Sequence, residues 1–219
     1  MNKKYCIFDM DGTLVDSMPY WLSLERDYLS SHGVDERTID SIIVRLRPMT
    51  LIDAAKVFIS ELGFKGTPES ISHEMNEIMH DNYRYRVPIK KGADLYLAAL
   101  KEKAAVLCTA SATDVPLVQT CLERLGIAKY FDFMLSCEEV GKSKTFPDVF
   151  IEAARRLGAK PAEIAVFEDS LVALKTARNA GFYAMSVADQ ANRGDWEILC
   201  ANADETIDDW AKDVSRICL

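Results

Sequence analysis

The chain has 219 residues, of which 49% are hydrophobic and 27% are charged, and its formal net charge is -8. This composition is that of a folded globular protein, and the length suits one core or one core with a smaller inserted domain. The negative charge argues against a broad surface for nucleic acid or anionic membrane, but it leaves room for a local basic pocket.

Apolar runs and cysteines indicate where the protein works. No apolar segment approaches the ~20 residues needed to span a bilayer, and the run behind the basic "MNKK" is too short for a signal peptide. The six cysteines form no CxxC pair, and Cys6 and Cys108 lie inside apolar runs. We therefore expect reduced, buried thiols in a cytoplasmic protein. Since no long heptad pattern is present, we also expect a monomer. The negative charge and the short apolar runs lead us to expect no nucleic-acid or membrane partner.

Short apolar segments alternate with helical patterns along most of the chain. The predicted buried strands are 4–9, 104–110, 131–136, 164–169 and 183–187. The helical patterns between them are 115–126, 146–158 and 170–181, and each ends in glycine, a common helix stop. This alternation predicts an α/β fold, a Rossmann-like parallel sheet with helices on both faces.

Residues 18–88 interrupt this alternation. Apolar residues such as Trp21, Leu24 and Tyr28 recur there at helical spacing, and no convincing strand is present. The chain returns through "RVPIKKG", in which Pro88 and Gly92 break regular structure. We therefore expect residues 1–17 and 89–219 to form the α/β catalytic core and residues 18–88 to form an inserted all-helical domain.

Residues able to bind a ligand follow each of the first four predicted strands. These residues are Asp9, Asp11, Gly12, Thr13, Thr109, Ala110, Ser111, Lys142, Lys144, Glu168 and Asp169. Taken singly, each has an ordinary explanation as a turn, a helix cap or solvated surface. However, ligands of an open α/β sheet bind beyond the carboxyl ends of its strands, and the predicted sheet brings all four groups to that edge.

The combined chemistry of these groups is coherent. Several carboxylates at one edge require a hard divalent cation, and Mg²⁺ prefers carboxylate, carbonyl and water oxygens. A hydroxyl group, backbone N–H groups and a lysine suit the oxygens of a phosphoryl group. The sequence therefore predicts phosphoryl transfer, in which positioning and charge neutralisation do most of the catalytic work.

The segments "DMDGTLVDS", "TAS", "KTFPD" and "FEDS", in this order, resemble the four motifs of the haloacid dehalogenase superfamily. The resemblance is to its phosphatase and β-phosphoglucomutase-like branch, and the helical insertion resembles the cap of that family. The chain departs from the family pattern at Thr145, where proline is usual, and at Ala173, where glycine often stands. Neither change removes a charged group.

The resemblance implies a role for each charged motif residue. Asp9 is the expected nucleophile, which forms an aspartyl-phosphate, and Asp11 is the expected general acid and base. Lys144 is expected to pair with Asp9 and the phosphoryl group, and the match to "KTFPD" favours it over Lys142. Because family members that cleave carbon–halogen bonds lack a second aspartate at the position of Asp11, dehalogenase chemistry is disfavoured.

The resemblance also implies two sets of ligands. The residues expected to bind the phosphate are Thr109, Ala110, Ser111, Lys144 and Gly12. The residues expected to bind Mg²⁺ are Asp9, Asp169, Glu168 and Asp11, the last through its main-chain carbonyl.

The sequence thus predicts a Mg²⁺-dependent phosphomonoester hydrolase that acts on a small phosphorylated metabolite. The alternative is a β-phosphoglucomutase-like hexose-phosphate mutase. It is disfavoured because Trp21 stands where these mutases usually carry a histidine, and because Arg45 and Arg47 do not match their cap loop. Whether these residues and Tyr20 contact the substrate stays open.

Two further alternatives have less support. In a phospho-aspartate receiver the phosphorylated aspartate follows the third strand, whereas here the aspartate pair follows the first. A binding-only member of the family is not supported, because every charged motif position is filled.

Overall fold

The computed structural model describes residues 1–46 and 49–218, so the prediction for Arg47 lies outside the described residues. The chain forms two compact units. One comprises Met1–Met18 together with the chain from Val87 onward, and the other comprises Pro19–Arg86. The assignment of residues 18–88 as a cap domain on a catalytic core stays a prediction.

The first unit is built on a six-stranded sheet in which all neighbouring strands run parallel. The strands are β1 Tyr5–Phe8, β2 Val106–Ser111, β3 Phe133–Ser136, β4 Ile164–Glu168, β5 Tyr183–Val187 and β6 Glu205–Ile207. Their order across the sheet is β3-β2-β1-β4-β5-β6. The predicted Rossmann-like α/β fold is confirmed. The sequence analysis missed β6, a three-residue strand at the edge of the sheet.

Eleven α-helices lie within the described ranges. They are α1 Met18–Ser31, α2 Glu36–Leu46, α3 Leu51–Leu62, α4 Pro68–Tyr85, α5 Ala93–Glu102, α6 Val115–Arg124, α7 Cys137–Val140, α8 Asp148–Leu157, α9 Leu171–Asn179, α10 Trp196–Asn202 and α11 Trp210–Asp213. Among these described helices, none combines the length and the apolar character required to cross a bilayer.

The two central strands, β1 and β4, are buried on both faces, and most of their residues are accordingly apolar. Ile7, Phe8, Val166 and Phe167 have no solvent exposure. The rings of Phe8 and Phe167 are stacked, with centroids 4.2 Å apart and planes within 9° of each other. Trp210 packs against Phe167 at 5.9 Å, and its indole N–H donates a hydrogen bond to the carbonyl of Thr13. The six cysteine thiols are free, and four are buried: Cys6, Cys108, Cys121 and Cys137.

The second unit consists of α1–α4, as the helical periodicity predicted. Tyr28 and Phe58 lie in its core, and the Tyr28 hydroxyl donates to Glu74 at 2.6 Å. The indole of Trp21 donates to the buried Tyr83 hydroxyl at 2.9 Å, so its N–H has a partner within this unit. Arg45 is exposed and pairs with Glu61 at 2.5 Å.

Two segments of the first unit form a short ribbon where the chain leaves for α1 and where it returns from α4. The amide of Asp16 donates to the carbonyl of Pro88, and the amide of Lys90 donates to the carbonyl of Leu14, both at 2.9 Å. Val15 and Ile89 form an antiparallel bridge between these bonds. The ends of the insertion are therefore held side by side on the first unit.

The stacked aromatic pair at the centre of the sheet gives a stability prediction. Replacing Phe167 by alanine removes a fully buried ring that touches both Phe8 and Trp210, so F167A should lower the free energy of unfolding by about 3–5 kcal/mol. Urea unfolding followed by circular dichroism measures this change. The control is F146A, whose ring is 52% exposed and whose loss should cost less than about 1 kcal/mol. Equal losses for the two variants would contradict this description of the core.

Candidate active site

The register of the sheet aligns the residues that follow β1, β2 and β4. Phe8 is paired with Thr109 on one side and with Phe167 on the other. The amide of Asp9 extends this ladder by donating to the carbonyl of Phe167 at 3.0 Å. Residues distant in sequence therefore reach the carboxyl edge of the sheet together, as expected for parallel strands.

Three carboxylates form a buried cluster at this edge. Asp9, Glu168 and Asp169 are 5%, 1% and 4% exposed, and one oxygen from each lies within 4.8 Å of the others. Asp9 follows β1 directly, whereas Glu168 ends β4 and Asp169 begins the turn into α9. Carboxylates are this deeply buried only when a cation or several hydrogen-bond donors compensate them.

Lys144 supplies one compensating charge. It lies in the loop between α7 and α8, and its ammonium group contacts Asp9 Oδ1 and Glu168 Oε1, the latter at 2.5 Å. Its side chain is 10% exposed. Lys142, the competing candidate, is half exposed and pairs with Asp148 at 3.1 Å. The structure thus places Lys144 and not Lys142 among the buried carboxylates.

The electrostatics of the cluster follow from its burial. Burial raises the pKa of Asp9 and Glu168 against the opposing effect of Lys144. Burial and the neighbouring charge of Asp9 raise the pKa of Asp169 to about 7. For Lys144, burial lowers the pKa, but the charges of Asp9 and Glu168 outweigh this effect and raise it overall. The lysine is therefore a fixed cation, while the carboxylates outnumber it three to one.

The donor set fits a small hard divalent cation. All three clustered side chains offer oxygen atoms, and the ammonium of Lys144 balances only one of the three charges when they are ionised. Mg²⁺ is bound in proteins by this kind of oxygen set together with water. The side chain of Asp11 is not in this cluster, and the role expected for this residue uses its main-chain carbonyl.

Asp11 lies at the edge of the site and is held by two hydroxyl groups. Ser17 donates to its Oδ1 at 2.6 Å, and Thr113 donates to its Oδ2 at 2.7 Å. The side chain is partly exposed, unlike that of Asp9. Both carboxylate oxygens are thus oriented while the group keeps access to solvent, which suits a residue that exchanges protons.

The residues expected to bind phosphate lie at the end of β2 and next to Asp11. The Thr109 hydroxyl is buried and has no hydrogen-bond partner in the part of the chain that is described. Ala110 is buried beside it, and the Ser111 hydroxyl accepts from the amide of Thr113 at 3.0 Å. A buried hydroxyl without a partner is unfavourable, so Thr109 is well suited to bind an oxygen of a ligand.

Gly12 makes room for the carboxylate of Asp169. Its φ is +75°, and a Cβ built at this position would lie 2.4 Å from Asp169 Oδ2. Any other residue would be strained here and would also displace that carboxylate. Gly12 thus lies beside Asp169, and its expected role as a phosphate ligand stays a prediction.

Four residues outside the predicted ligand sets hold the predicted residues, and the sequence analysis missed three of them. Thr13, found at the end of the first strand but given no role, lies 3.4 Å from Asp169 Oδ1, and Asn192 donates to Asp169 Oδ2 at 2.7 Å. The other two are Ser17 and Thr113, which hold Asp11. Ser17 lies within "DMDGTLVDS" and could have been singled out there. Asn192 lies in the loop after β5, and the sequence carries no signal for it.

A parallel sheet with a buried carboxylate–lysine cluster at its carboxyl edge is typical of α/β enzymes that act on phosphate groups. Comparison with known families narrows this class. Residues 6–187 match the family model described as haloacid dehalogenase-like hydrolase. The chain therefore belongs to the haloacid dehalogenase-like hydrolases, and the resemblance found in the sequence is confirmed.

Named relatives and solved structures agree with this membership. The chain is 26% identical to the fructose-1-phosphate phosphatase YqaB of Escherichia coli, with 85% of this chain and 98% of that protein covered. It is also 26% identical to a phosphorylated carbohydrates phosphatase of Thermotoga maritima, with 80% of each chain covered. A crystal structure of a provisionally named beta-phosphoglucomutase from T. maritima is 25% identical, with a TM-score of 0.79 over 97% of this chain and 96% of that one.

The raised pKa of Asp169 predicts how the stability of the metal-free protein depends on pH. This pKa rises from 3.8 to about 7 on folding, so the folded state binds the proton of Asp169 more tightly than the unfolded state does. The resulting contribution to the free energy of unfolding is complete below the lower pKa and is lost as the pH increases through the higher one. We expect the melting temperature in EDTA to fall by about 4–8 °C between about pH 5 and 8, which corresponds to about 2 kcal/mol. The D169N variant, whose amide does not titrate, should show a smaller decrease. Equal decreases would contradict this assignment.

Proposed function

We propose that this protein is a Mg²⁺-dependent phosphatase of a small phosphorylated sugar and that it works through an aspartyl-phosphate on Asp9. The observation that carries this proposal is the ammonium group of Lys144 between Asp9 and Glu168, with Asp169 in the same cluster. The predicted enzyme class, a hydrolase of phosphoric monoesters, is confirmed by the family and its named phosphatases. The residue roles and the metal are proposals.

The metal site of this proposal uses Asp9, Glu168 and Asp169, with the main-chain carbonyl of Asp11. When bound, Mg²⁺ would neutralise negative charge on the carboxylates and on the phosphoryl oxygens. The excess of buried carboxylates over ammonium groups supports its presence. Glu168 also contacts Lys144, so it would position the lysine as well as the cation.

In the first half of the reaction a carboxylate oxygen of Asp9 attacks the phosphorus atom. The bond from phosphorus to the sugar oxygen breaks, and Asp11 in its acid form donates a proton to that oxygen, so the sugar leaves as a neutral alcohol. Lys144 stabilises the negative charge around phosphorus, and the Thr109 hydroxyl with the Ala110 amide binds phosphoryl oxygens. Ser17 and Thr113 keep the Asp11 carboxyl group oriented for this proton transfer.

In the second half Asp11, now a carboxylate, removes a proton from water. The water oxygen attacks phosphorus, the bond from phosphorus to Asp9 breaks, and inorganic phosphate leaves. Asp9 regains its charge and Asp11 regains its proton, so the enzyme returns to its starting state. Partial exposure of Asp11 supports this step, because the attacking water must reach it.

The names of the relatives support a substrate class. Relatives named as fructose-1-phosphate phosphatase, phosphorylated carbohydrates phosphatase and hexitol phosphatase support a sugar or sugar-alcohol phosphate as the substrate here. The helical unit is the region expected to select among these compounds. We further propose that the protein works in the cytoplasm as a monomer, without nucleic-acid or membrane partners.

The alternative function is a hexose-phosphate mutase, and one observation supports it. The solved structure from T. maritima named for that activity matches the fold with a TM-score of 0.79. However, the position expected for the mutase histidine is occupied by Trp21, whose indole N–H is already bonded to Tyr83. An indole has no basic nitrogen to accept a proton, so it cannot take over the role of that histidine.

Replacing the nucleophile gives the first test. D9N keeps the shape of Asp9 but removes its negative charge, so phosphate release should fall by on the order of 10³-fold or more. The assay measures phosphate release from fructose 1-phosphate, a hexitol phosphate and glucose 1-phosphate. The control D40N changes an exposed aspartate that pairs with Arg26 and lies outside the four motifs, and it should keep near-normal activity. Full activity of D9N would contradict the assignment of the nucleophile.

Metal removal gives the second test. Dialysis against EDTA should abolish phosphate release, and adding Mg²⁺ should restore it, because the cluster of Asp9, Glu168 and Asp169 holds excess negative charge without a cation. Activity that survives EDTA would disprove the proposed metal dependence. A coupled assay with glucose 1-phosphate and a bisphosphate primer separates the two functions, since only a mutase forms glucose 6-phosphate.

A further inference from the structure

Asn192 contacts one of the three clustered carboxylates and has no role in the steps above. Its side-chain amide donates to Asp169 Oδ2 at 2.7 Å and to the main-chain carbonyl of Asp169 at 3.2 Å. We infer that Asn192 is a positioning residue, which fixes the orientation of the Asp169 carboxylate so that it can bind the divalent cation. This inference rests on the metal site of the proposed function.

The geometry defines which end of the amide faces the cluster. Both oxygens that Asn192 contacts on Asp169, the carboxylate Oδ2 and the main-chain carbonyl, accept hydrogen bonds. The –NH₂ group must therefore point toward Asp169, and one amide connects the backbone and the side chain of the same residue. This double contact restricts rotation of the Asp169 side chain about its Cα–Cβ and Cβ–Cγ bonds.

The two oxygens of Asp169 are held differently. Asn192 engages Oδ2 at 2.7 Å, and the same oxygen lies 2.4 Å from where a Cβ on Gly12 would be, so Gly12 borders it on another side. Oδ1 receives only the longer contact of 3.4 Å from the Thr13 hydroxyl among the described residues. Oδ1 is therefore the oxygen with the greater capacity to coordinate a cation, and Asn192 determines where it points.

The loop that carries Asn192 is anchored by a buried ion pair. The Lys90 ammonium donates to Asp189 Oδ2 and to the carbonyl of Ala188, both at 2.7 Å. The side chains of Lys90 and Asp189 are 13% and 1% exposed. The other oxygen of Asp189 accepts from the amide of Ala191 at 2.8 Å. Residues 188–191 are thus fixed on both sides of Asp189, so Asn192 is presented to Asp169 by an ordered segment.

The experiment measures Mg²⁺ binding directly by isothermal titration calorimetry on the full chain. N192L keeps nearly the shape of asparagine without a hydrogen-bond donor, and N192A is a second variant in case leucine is poorly accommodated. The control is N202L, which changes an asparagine at the end of α10 whose amide donates only to the Ile198 carbonyl among the described contacts. Circular dichroism in EDTA verifies that each variant is folded.

The inference predicts that N192L and N192A bind Mg²⁺ about 10-fold more weakly than the unchanged protein, while N202L binds it normally. In the phosphatase assay the Mg²⁺ concentration for half-maximal activity of the Asn192 variants should also rise about 10-fold. Their kcat at saturating Mg²⁺ should stay within about threefold of that of the unchanged protein. General destabilisation does not produce this pattern.

Two outcomes overturn the inference in distinguishable ways. If the unchanged protein binds Mg²⁺ and a folded Asn192 variant binds it within twofold of the same affinity, Asn192 does not position the ligand and the proposed function is unaffected. If the unchanged protein binds no Mg²⁺, the proposed metal site fails together with this inference.

Discussion

The ammonium group of Lys144 is the interaction on which the active edge of this protein depends. It contacts two carboxylates, Asp9 and Glu168, which are nearly excluded from solvent. Without the ammonium group, their negative charges would be buried without a compensating cation. Removing such a cation leaves unpaired charge in a low-dielectric environment, which is among the most costly changes a folded protein can undergo. Lys144 balances only part of the negative charge of the three clustered carboxylates. Hydrogen-bond donors such as Thr13 and Asn192, which contact Asp169, compensate it further.

Parallel strand pairing makes this arrangement possible. Asp9 and Glu168 are far apart in sequence, and they meet because β1 and β4 are neighbours that run in the same direction. β1 and β4 each lead to a carboxylate where the apolar run ends, so the sheet holds these groups together at its carboxyl edge. The stacked rings of Phe8 and Phe167, which immediately precede Asp9 and Glu168, form the frame directly behind the carboxylates.

The sequence predicted the parts of this structure that have a local signal. Five strands were found because short continuous apolar runs mark buried parallel strands, whereas β6 was missed because "ETI" is short and two of its three residues are polar. The clustering of Asp9, Lys144 and Glu168 followed from the fold together with the motifs. Asn192 was not predicted, because its relation to Asp169 depends on the conformation of a loop and not on any spacing.

Side-chain support for the predicted residues was also only partly accessible from sequence. Ser17 lies in the first motif, but its bond to Asp11 depends on how the backbone turns after β1. Thr113 reaches the same carboxylate from the loop after β2, a long-range contact that no local pattern specifies. Residues that carry charge at strand ends are thus easier to predict than the neutral residues that orient them.

The ribbon between residues 14–16 and 88–90 has a consequence for how this chain can change over evolutionary time. Since the Asp16 amide is bonded to the Pro88 carbonyl, the intervening helical segment leaves and rejoins the core at nearly one point. An insertion with adjacent ends can be lengthened, shortened or exchanged without altering strand order, because closing a loop between neighbouring points adds little conformational cost. The carboxyl edge of the sheet and the inserted helices are therefore free to diverge at different rates.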